Sequence, residues 1–195
     1  MNQKNPQDDA EKLQALLHPK DLILRRQVIG ASSIVPPEPG VYALYFKRSP
    51  SPDIQLEKCH KWQGRYLLYV GTSPSKPSSQ ANLRKRLSGH MRGNASRSTV
   101  RKSVGCLMSR ALNIQLYPVG SRLTFASGEQ NLSHWLEENV SVHWVVHLAP
   151  WDLEKFAIAT LNLPLNLAHN KKHPFYSTLK KSRKEASMLA RSLVV

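Results

Sequence analysis

Apolar residues occur with two different spacings along this chain, one of which predicts strands and the other helices. Two apolar runs, 41–46 and 65–70, have the length and composition of strands. The polar, proline-containing stretch 47–61 between them predicts a hairpin loop, which makes the two strands antiparallel. A third run, 140–148, alternates apolar with polar residues and predicts a strand with one buried side. These runs together predict a small, mainly antiparallel sheet.

Apolar residues spaced three and four apart predict helices on either side of these strands. The predicted helices are one or two within 1–33, then 82–91, 98–109, 132–138, 152–161 and a basic helix after 173–175. A loop rich in Ser and Pro is expected at 72–80. The mixture predicts an α/β (α+β) fold, divided into an N-terminal helical extension (1–37), a central domain (38–170) and a basic C-terminal tail (171–195).

The charge of the chain points to a polyanionic partner. The formal net charge is +15 at pH 7, and no Asp or Glu occurs between Glu57 and Glu129. An acid-free interval of this length favours nucleic-acid binding, because Lys and Arg neutralise phosphates. The side chains expected to contact nucleic acid are Arg84, Lys85, Arg92, Arg97, Arg101, Lys102, Lys171 and Lys172.

Several other classes of protein fit the sequence poorly. No apolar run approaches the roughly 20 residues that a membrane span needs, and residues 1–11 are too polar for a secretory leader. The two cysteines, Cys59 and Cys106, do not suggest a disulfide scaffold, so we expect a cytoplasmic protein. Binding to anionic membranes or acidic proteins through charge alone is disfavoured, since no helix sets its basic residues opposite a broad apolar face.

Two competing site patterns are weak. The histidine pairs His143/His147 and His169/His173 have no neighbouring cysteine or carboxylate in sequence to complete a zinc site. Pro52-Asp53 followed by Glu57-Lys58 superficially resembles a different restriction-nuclease signature. That stretch lies in a predicted loop and lacks the Glu-x-Lys spacing.

Several residues that could catalyse a reaction occur in a recognisable order along the chain. Two tripeptides that contain a glycine and a tyrosine lie on the first two predicted strands. An Arg-x-x-x-His pair lies on the helix that follows, a Glu lies at the start of a later helix, and an Asn comes after that Glu. The residues are Gly40-Val41-Tyr42, Tyr69-Val70-Gly71, Arg86, His90, Glu154 and Asn166. This arrangement resembles the GIY-YIG nuclease superfamily over residues 38–170. The 27-residue spacing from Tyr42 to Tyr69 is most similar to the restriction-endonuclease branch, whose members carry an insertion in that hairpin.

Hydrolysis of a phosphodiester needs an activated water and stabilisation of a highly charged phosphorane. Glu154 offers a hard oxygen ligand suited to one Mg²⁺ (or Mn²⁺) ion, and Arg86 offers a bidentate phosphate contact. The resemblance implies that Tyr42 is the general base. We expect nearby cations to lower the pKa of Tyr42, His90 to hydrogen-bond a tyrosine or relay its proton, and Asn166 to brace the site.

The sequence therefore predicts a Mg²⁺-dependent DNA endonuclease, of the sequence-specific restriction type. Such enzymes often act as dimers on palindromes, so a homodimer is an expected assembly. Two alternatives stay open. One is a structure-selective repair or mobile-element nuclease, and the other is a non-catalytic DNA-binding protein on the same fold.

Overall fold

A computed structural model of the chain describes residues 6–192, and its centre is a five-stranded antiparallel sheet. The strand order is β1-β7-β2-β4-β3, and strands β5 and β6 form a separate hairpin. The strands are β1 Ile23–Leu24, β2 Gly40–Phe46, β3 Lys61–Trp62, β4 Arg65–Ser73, β5 Tyr117–Val119, β6 Arg122–Thr124 and β7 Val140–Val146.

Seven α-helices surround the sheet within the described residues, and a short 3₁₀ turn, Leu56–Lys58, lies in the hairpin loop. The helices are α1 Pro6–Leu17, α2 Arg25–Val28, α3 Leu83–Arg92, α4 Thr99–Leu107, α5 Gly128–Asn139, α6 Pro150–Thr160 and α7 Tyr176–Ser192. Across residues 6–192, no helix has both the length and the apolar character needed to cross a membrane.

Helices cover both faces of the sheet, so β2 is buried along its whole length. On one face Val41 and Tyr45 pack with Leu16 of α1 and Leu153 of α6. On the other face Tyr42, Leu44 and Phe46 belong to a core that includes residues of α3, α4 and α5. Apolar residues at successive positions therefore serve two cores, because neighbouring side chains in a strand point to opposite faces.

A β-bulge in β4 sets which face its side chains occupy. Leu44 pairs with Tyr69, but the next residue, Tyr45, pairs with Leu67, so Leu68 is the extra residue. Tyr66 and Tyr69 are three apart and would point to opposite faces of a regular strand. With the bulge, both side chains lie with the core that contains Tyr42.

The two antiparallel strands and the hairpin between them are confirmed, while three details differ. The expectation of one buried side for 140–148 is wrong, since residues 140–142 of β7 are all buried and both α1 and α5 pack against the strand. Leu148 lies beyond the strand and is 76% exposed. The loop expected at 72–80 is shorter, because Thr72 and Ser73 are buried in β4.

The two ends of the described chain pack onto this core. Helix α1 contacts β7 and α6, and α7 lies along α4 with Leu179 and Ala190 fully buried. Most of the predicted basic tail is thus an ordered helix, and its last three residues lie outside the described range. The three-part division of the chain stays a prediction.

Long-range contacts give His147 carboxylate neighbours that its sequence context lacks. The Nε2 atom of His147 lies 3.1 Å from Asp9 and 3.4 Å from Asp8, both on α1. Its Nδ1 accepts a hydrogen bond from the Ala149 N–H. The part of the chain between residues 6 and 192 contains no group of three His, Cys, Asp or Glu side chains that could hold a metal ion. These contacts therefore anchor α1 to the sheet.

Candidate active site

Two buried tyrosines on neighbouring strands form the floor of the site. Tyr42 of β2 is paired with Gly71 of β4, and Tyr69 lies two residues before Gly71. The tyrosine ring centroids are 6.2 Å apart. Because β2 and β4 are paired with each other by a ladder of hydrogen bonds, the two phenols have fixed positions.

Gly71 is required by the close approach of these rings. A Cβ atom built on Gly71 would collide with the hydroxyl of Tyr42, and would lie 2.5 Å from Tyr42 Cζ and 2.9 Å from Tyr69 Cε1. These separations are far below van der Waals contact. The glycine of the second tripeptide is therefore the residue that lets the Tyr42 phenol lie over β4.

Helix α3 brings a cation and an imidazole to the Tyr42 hydroxyl. Asn82 caps the helix by accepting a hydrogen bond from the Lys85 N–H, and Leu83 and Leu87 bury its inner face. One turn apart, Arg86 Nε donates to the Tyr42 hydroxyl at 3.3 Å, and His90 Nε2 lies 2.5 Å from the same oxygen. The predicted link between His90 and a tyrosine thus has a direct contact in the fold.

The other ring nitrogen of His90 is held by Ser98. Ser98 caps α4 by accepting a hydrogen bond from the Arg101 N–H, and its Oγ lies 2.7 Å from His90 Nδ1. Since Arg86 is only a donor, the Tyr42 O–H is free to donate to His90 Nε2. That arrangement requires the proton of a neutral imidazole to sit on Nδ1, where Ser98 Oγ accepts it.

Electrostatics set the protonation states of this pair in the metal-free protein, where the expected lowering of the Tyr42 pKa by Arg86 is present but is outweighed by burial. Burial, followed by the proximity of Tyr69, raises the pKa of Tyr42 well above 10, and the opposing effect of Arg86 is smaller. Burial, Arg86 and Arg101 lower the pKa of His90 well below 6.5. Near pH 7 the pair is therefore a neutral phenol hydrogen-bonded to a neutral imidazole.

Glu154 presents a carboxyl group near Arg86. Pro150 and Leu153 are buried where α6 packs on the sheet, and Glu154 follows them at the partly exposed edge of the helix. Burial raises the pKa of Glu154 to about 7, although Arg86 and Lys155 lower it. Among residues 6–192 no hydrogen-bond donor or ion-pair partner reaches this carboxylate. An unpaired, partly buried carboxylate of this kind suits a hard cation.

Asn166 fixes β4 from its outer edge. Its amide pairs with the backbone of Val70 in both directions: Oδ1 accepts from the Val70 N–H at 3.0 Å, and Nδ2 donates to the Val70 carbonyl at 2.7 Å. The neighbouring Leu165 N–H donates to the carbonyl of Leu68. The segment around Asn166 thus replaces a missing edge strand beside Tyr69, which is a bracing role.

The residues expected to contact nucleic acid differ in their exposure to solvent. One member, Arg101, is 0% exposed and forms a salt bridge with Glu129, the acid that ends the acid-free interval, at 2.7 Å. The prediction of a nucleic-acid contact is therefore wrong for Arg101. Lys102 is partly buried on α4, and the others are exposed: Arg84, Lys85, Arg92, Arg97, Lys171 and Lys172.

The tyrosines and their neighbours do not line the groove that α4, α7 and the β5–β6 hairpin enclose. That groove has a volume of about 950 Å³ and is bordered by Cys106, Tyr117, Phe125 and Leu189. The candidate site instead lies at the end of the sheet where β2 begins and β4 ends. Arg86 and Glu154 are partly exposed there, so a polymer that passes across the surface could reach them.

Two contributors to the site were not predicted. Ser98 was expected only at the start of a helix, and nothing in the sequence links it to His90 across a turn. Glu129, which also accepts hydrogen bonds from the N–H groups of Ala95 and Phe125, was noted only as the end of the acid-free interval. The β5–β6 hairpin was also missed, although the dipeptide Gly120-Ser121 is a signal for a two-residue hairpin turn.

A family model described as the GIY-YIG catalytic domain matches residues 40–185, which include both tyrosine tripeptides, α3, α6 and part of α7. Neither the curated proteins nor the solved structures contain a match to this chain.

Proposed function

This chain belongs to the GIY-YIG catalytic domain family, and we propose that it is a Mg²⁺-dependent DNA endonuclease of the restriction type. Family membership supports nuclease activity with DNA as the substrate. The observation that carries the proposal is the convergence of Arg86 and His90 on the Tyr42 hydroxyl, with the unpaired carboxyl of Glu154 beside Arg86.

The donor set suits one Mg²⁺ or Mn²⁺ ion with few protein ligands. Mg²⁺ keeps several waters and usually binds one or two carboxylates together with phosphate oxygens. Glu154 would hold the ion, and a bound cation would favour its ionised form over the protonated form that burial favours. When bound, the metal supplies positive charge that stabilises the phosphorane and the leaving 3′ oxygen.

The protein's own groups perform the remaining steps. Arg86 binds two oxygens of the phosphate and stays charged throughout, because a guanidinium does not lose its proton near neutral pH. Tyr42 orients the attacking water and takes its proton while passing its own proton to the neutral Nε2 of His90. This relay needs no free phenolate, so the raised pKa of Tyr42 is compatible with a role as base.

Tyr69 lies next to Tyr42 and helps to position the water, and Asn166 keeps β4 and Tyr69 in place. In this proposal the hairpin insertion 47–61 and the exposed cations around α3 provide recognition. A restriction enzyme of this type acts on a short sequence, commonly as a homodimer on a palindrome, within the cytoplasm.

The test is cleavage of supercoiled plasmid and phage DNA with and without Mg²⁺, with Glu154→Gln beside the wild type. Discrete bands from the wild type alone, and only with metal, would support a sequence-specific enzyme. Nicking or a smear would instead support a structure-selective nuclease. Retardation of DNA on a gel without any cleavage would refute the proposal in favour of a binding protein.

A further inference from the structure

The interface between α4 and α7 contains two cations that no Asp or Glu side chain of residues 6–192 neutralises. Arg183 lies on the inward face of α7, four residues after the buried Leu179 and seven before the buried Ala190. Lys102 faces it from α4. Both side chains are partly buried, and Arg191 adds a third positive charge near Lys102. An inward position on a packed helix is unusual for an arginine unless it has a partner.

Polar contacts to these cations are few. Arg183 Nη1 donates to Ser103 Oγ at 3.4 Å, and no Asp or Glu between residues 6 and 192 lies within ion-pair distance of Arg183 or Lys102. Burial lowers the pKa of both groups, and Arg183 lowers the pKa of Lys102 further. The cluster therefore carries a repulsion that a bound anion would relieve.

Arg101, which is adjacent to Lys102 on α4, is a cation with a structural role and provides a comparison for Arg183. Its guanidinium is fully buried and contacts the Glu129 carboxylate, the Glu129 carbonyl and Ser133 Oγ. Nothing comparable surrounds Arg183, which retains unused donors of its guanidinium fork. The contrast favours an external anion over internal packing as the reason for Arg183.

The cluster lies beside the candidate active site. Ser98, whose Oγ contacts His90, caps the start of α4; Lys102 lies one turn further along that helix, and Arg183 contacts the adjacent Ser103, so the cluster adds positive charge beside the site. A DNA strand whose scissile phosphate contacts Arg86 would place a neighbouring phosphate within this field, since each nucleotide carries one.

We propose that Arg183 and Lys102 bind a phosphate of the DNA strand next to the one that is cut, and that this contact positions the strand over Tyr42. The proposal rests on the proposed nuclease function for its substrate. It assigns Arg183 a positioning role, outside the proton relay and away from Glu154.

The test compares Arg183→Gln with Lys181→Gln, a loss of the same charge on the exposed side of α7, where Lys181 pairs only with Glu185. Binding to a DNA duplex is measured in EDTA across a series of salt concentrations. Arg183→Gln should weaken binding about tenfold and make the slope of log K against log salt shallower by about 0.9, the value for one phosphate contact. Lys181→Gln should leave both quantities at the wild-type value.

Wild-type affinity and slope in Arg183→Gln would overturn the proposal, even if the protein were less stable. If Arg183→Gln does not fold, Lys102→Gln takes its place, with the same expected change of slope and the same contradicting result. Cleavage is measured separately with Mg²⁺. A wild-type protein that binds DNA without cutting it would refute the nuclease function, while the change of slope would still decide the phosphate contact.

Discussion

At the scale of single residues, Glu154 carries a carboxyl group whose burial reduces the stability of the metal-free protein. Folding raises its pKa from 4.5 to about 7, because burial disfavours the charged carboxylate more than Arg86 favours it. The folded state therefore binds this proton more tightly than the unfolded state. In the absence of metal, the contribution of Glu154 becomes more unfavourable as pH rises from 4.5 through 7, and it is relieved on acidification.

Glu154→Gln should therefore stabilise the metal-free protein at pH 8.5. We expect a gain of about 2 kcal/mol, below the full value of the pKa shift because the group is partly solvated. At pH 5 the gain should fall to about a quarter of this value, because the carboxyl is then protonated in the folded state and mostly ionised in the unfolded state. Thermal unfolding in EDTA at both pH values measures the effect. A destabilised variant at pH 8.5 would show that Glu154 has a partner in the folded protein.

The Tyr42 phenol and the His90 imidazole act as one unit, because they share a hydrogen bond of 2.5 Å. Tyr42→Phe removes the proton donor and the orienting oxygen together. We expect a loss of about 10²- to 10⁴-fold in the cleavage rate, with DNA affinity nearly unchanged. Single-turnover cleavage and binding in EDTA measure the two quantities.

Tyr45→Phe is the matched control for Tyr42→Phe. Tyr45 lies on the same strand but on the opposite face, where its hydroxyl donates to the carbonyls of Leu16 and Leu17. Its removal should cost about 1 kcal/mol of stability and leave the cleavage rate intact. Equal effects of the two substitutions on cleavage would contradict the relay.

At the scale of elements, the strands and α3 were predictable because each has a local signature. The apolar runs of β2 and β4 and the i, i+4 spacing of Arg86 and His90 are visible in the sequence. The bulge at Leu68 and the bidentate contact of Asn166 with Val70 were not predictable, since both depend on partners far along the chain. The same holds for the second buried side of β7, which depends on α1.

Gly71→Ala tests how tightly the elements pack at the site. The new methyl group must displace the rings of Tyr42 and Tyr69, and a shift of about 1 Å in reacting groups costs on the order of 10² in rate. We expect at least that loss in cleavage, together with lower stability.

Gly89→Ala on α3 is the control for Gly71→Ala, because a Cβ atom there meets nothing within 4 Å. It should stabilise the helix by roughly 0.5–1 kcal/mol and leave cleavage unchanged. Cleavage kinetics measure the rate of each variant, and thermal unfolding measures its stability. Full activity in Gly71→Ala would mean that the tyrosine rings need no fixed position.

At the scale of the whole molecule, the net charge of +15 does not act as one uniform surface. Composition predicted a polyanion partner, but it did not separate cations that contact solvent from a cation that supports the core. Arg101 looked like its neighbours in sequence, and only the fold reveals that Glu129, 28 residues later, accepts its guanidinium. Burial has a comparable effect at Tyr42, where it raises the pKa in the metal-free protein although Arg86 lowers it.

Arg101→Gln should accordingly affect stability without changing the salt dependence of DNA binding. The substitution leaves the Glu129 carboxylate without its cation and removes a donor to the His90 carbonyl. Loss of one partner of a buried pair costs about 3–5 kcal/mol. Urea unfolding measures the cost, and binding at a temperature where the variant is folded measures the slope. A shallower slope with normal stability would place Arg101 at the DNA after all.

The exposed cations Arg92, at the end of α3, and Arg97, after it, should affect the salt dependence of DNA binding without affecting stability. Replacing Arg92 and Arg97 together with Gln removes two solvent-exposed charges. If each contacts one phosphate, the slope of log K against log salt becomes shallower by about 1.8 while stability is nearly unchanged. The control replaces Lys47 and Arg48, also exposed, with Gln. They follow β2 at its far end, about 16 Å along the strand from Tyr42. Equal slopes for the two double variants would mean that DNA binding depends only on the net charge. The surface around α3 would then not be the DNA-binding face.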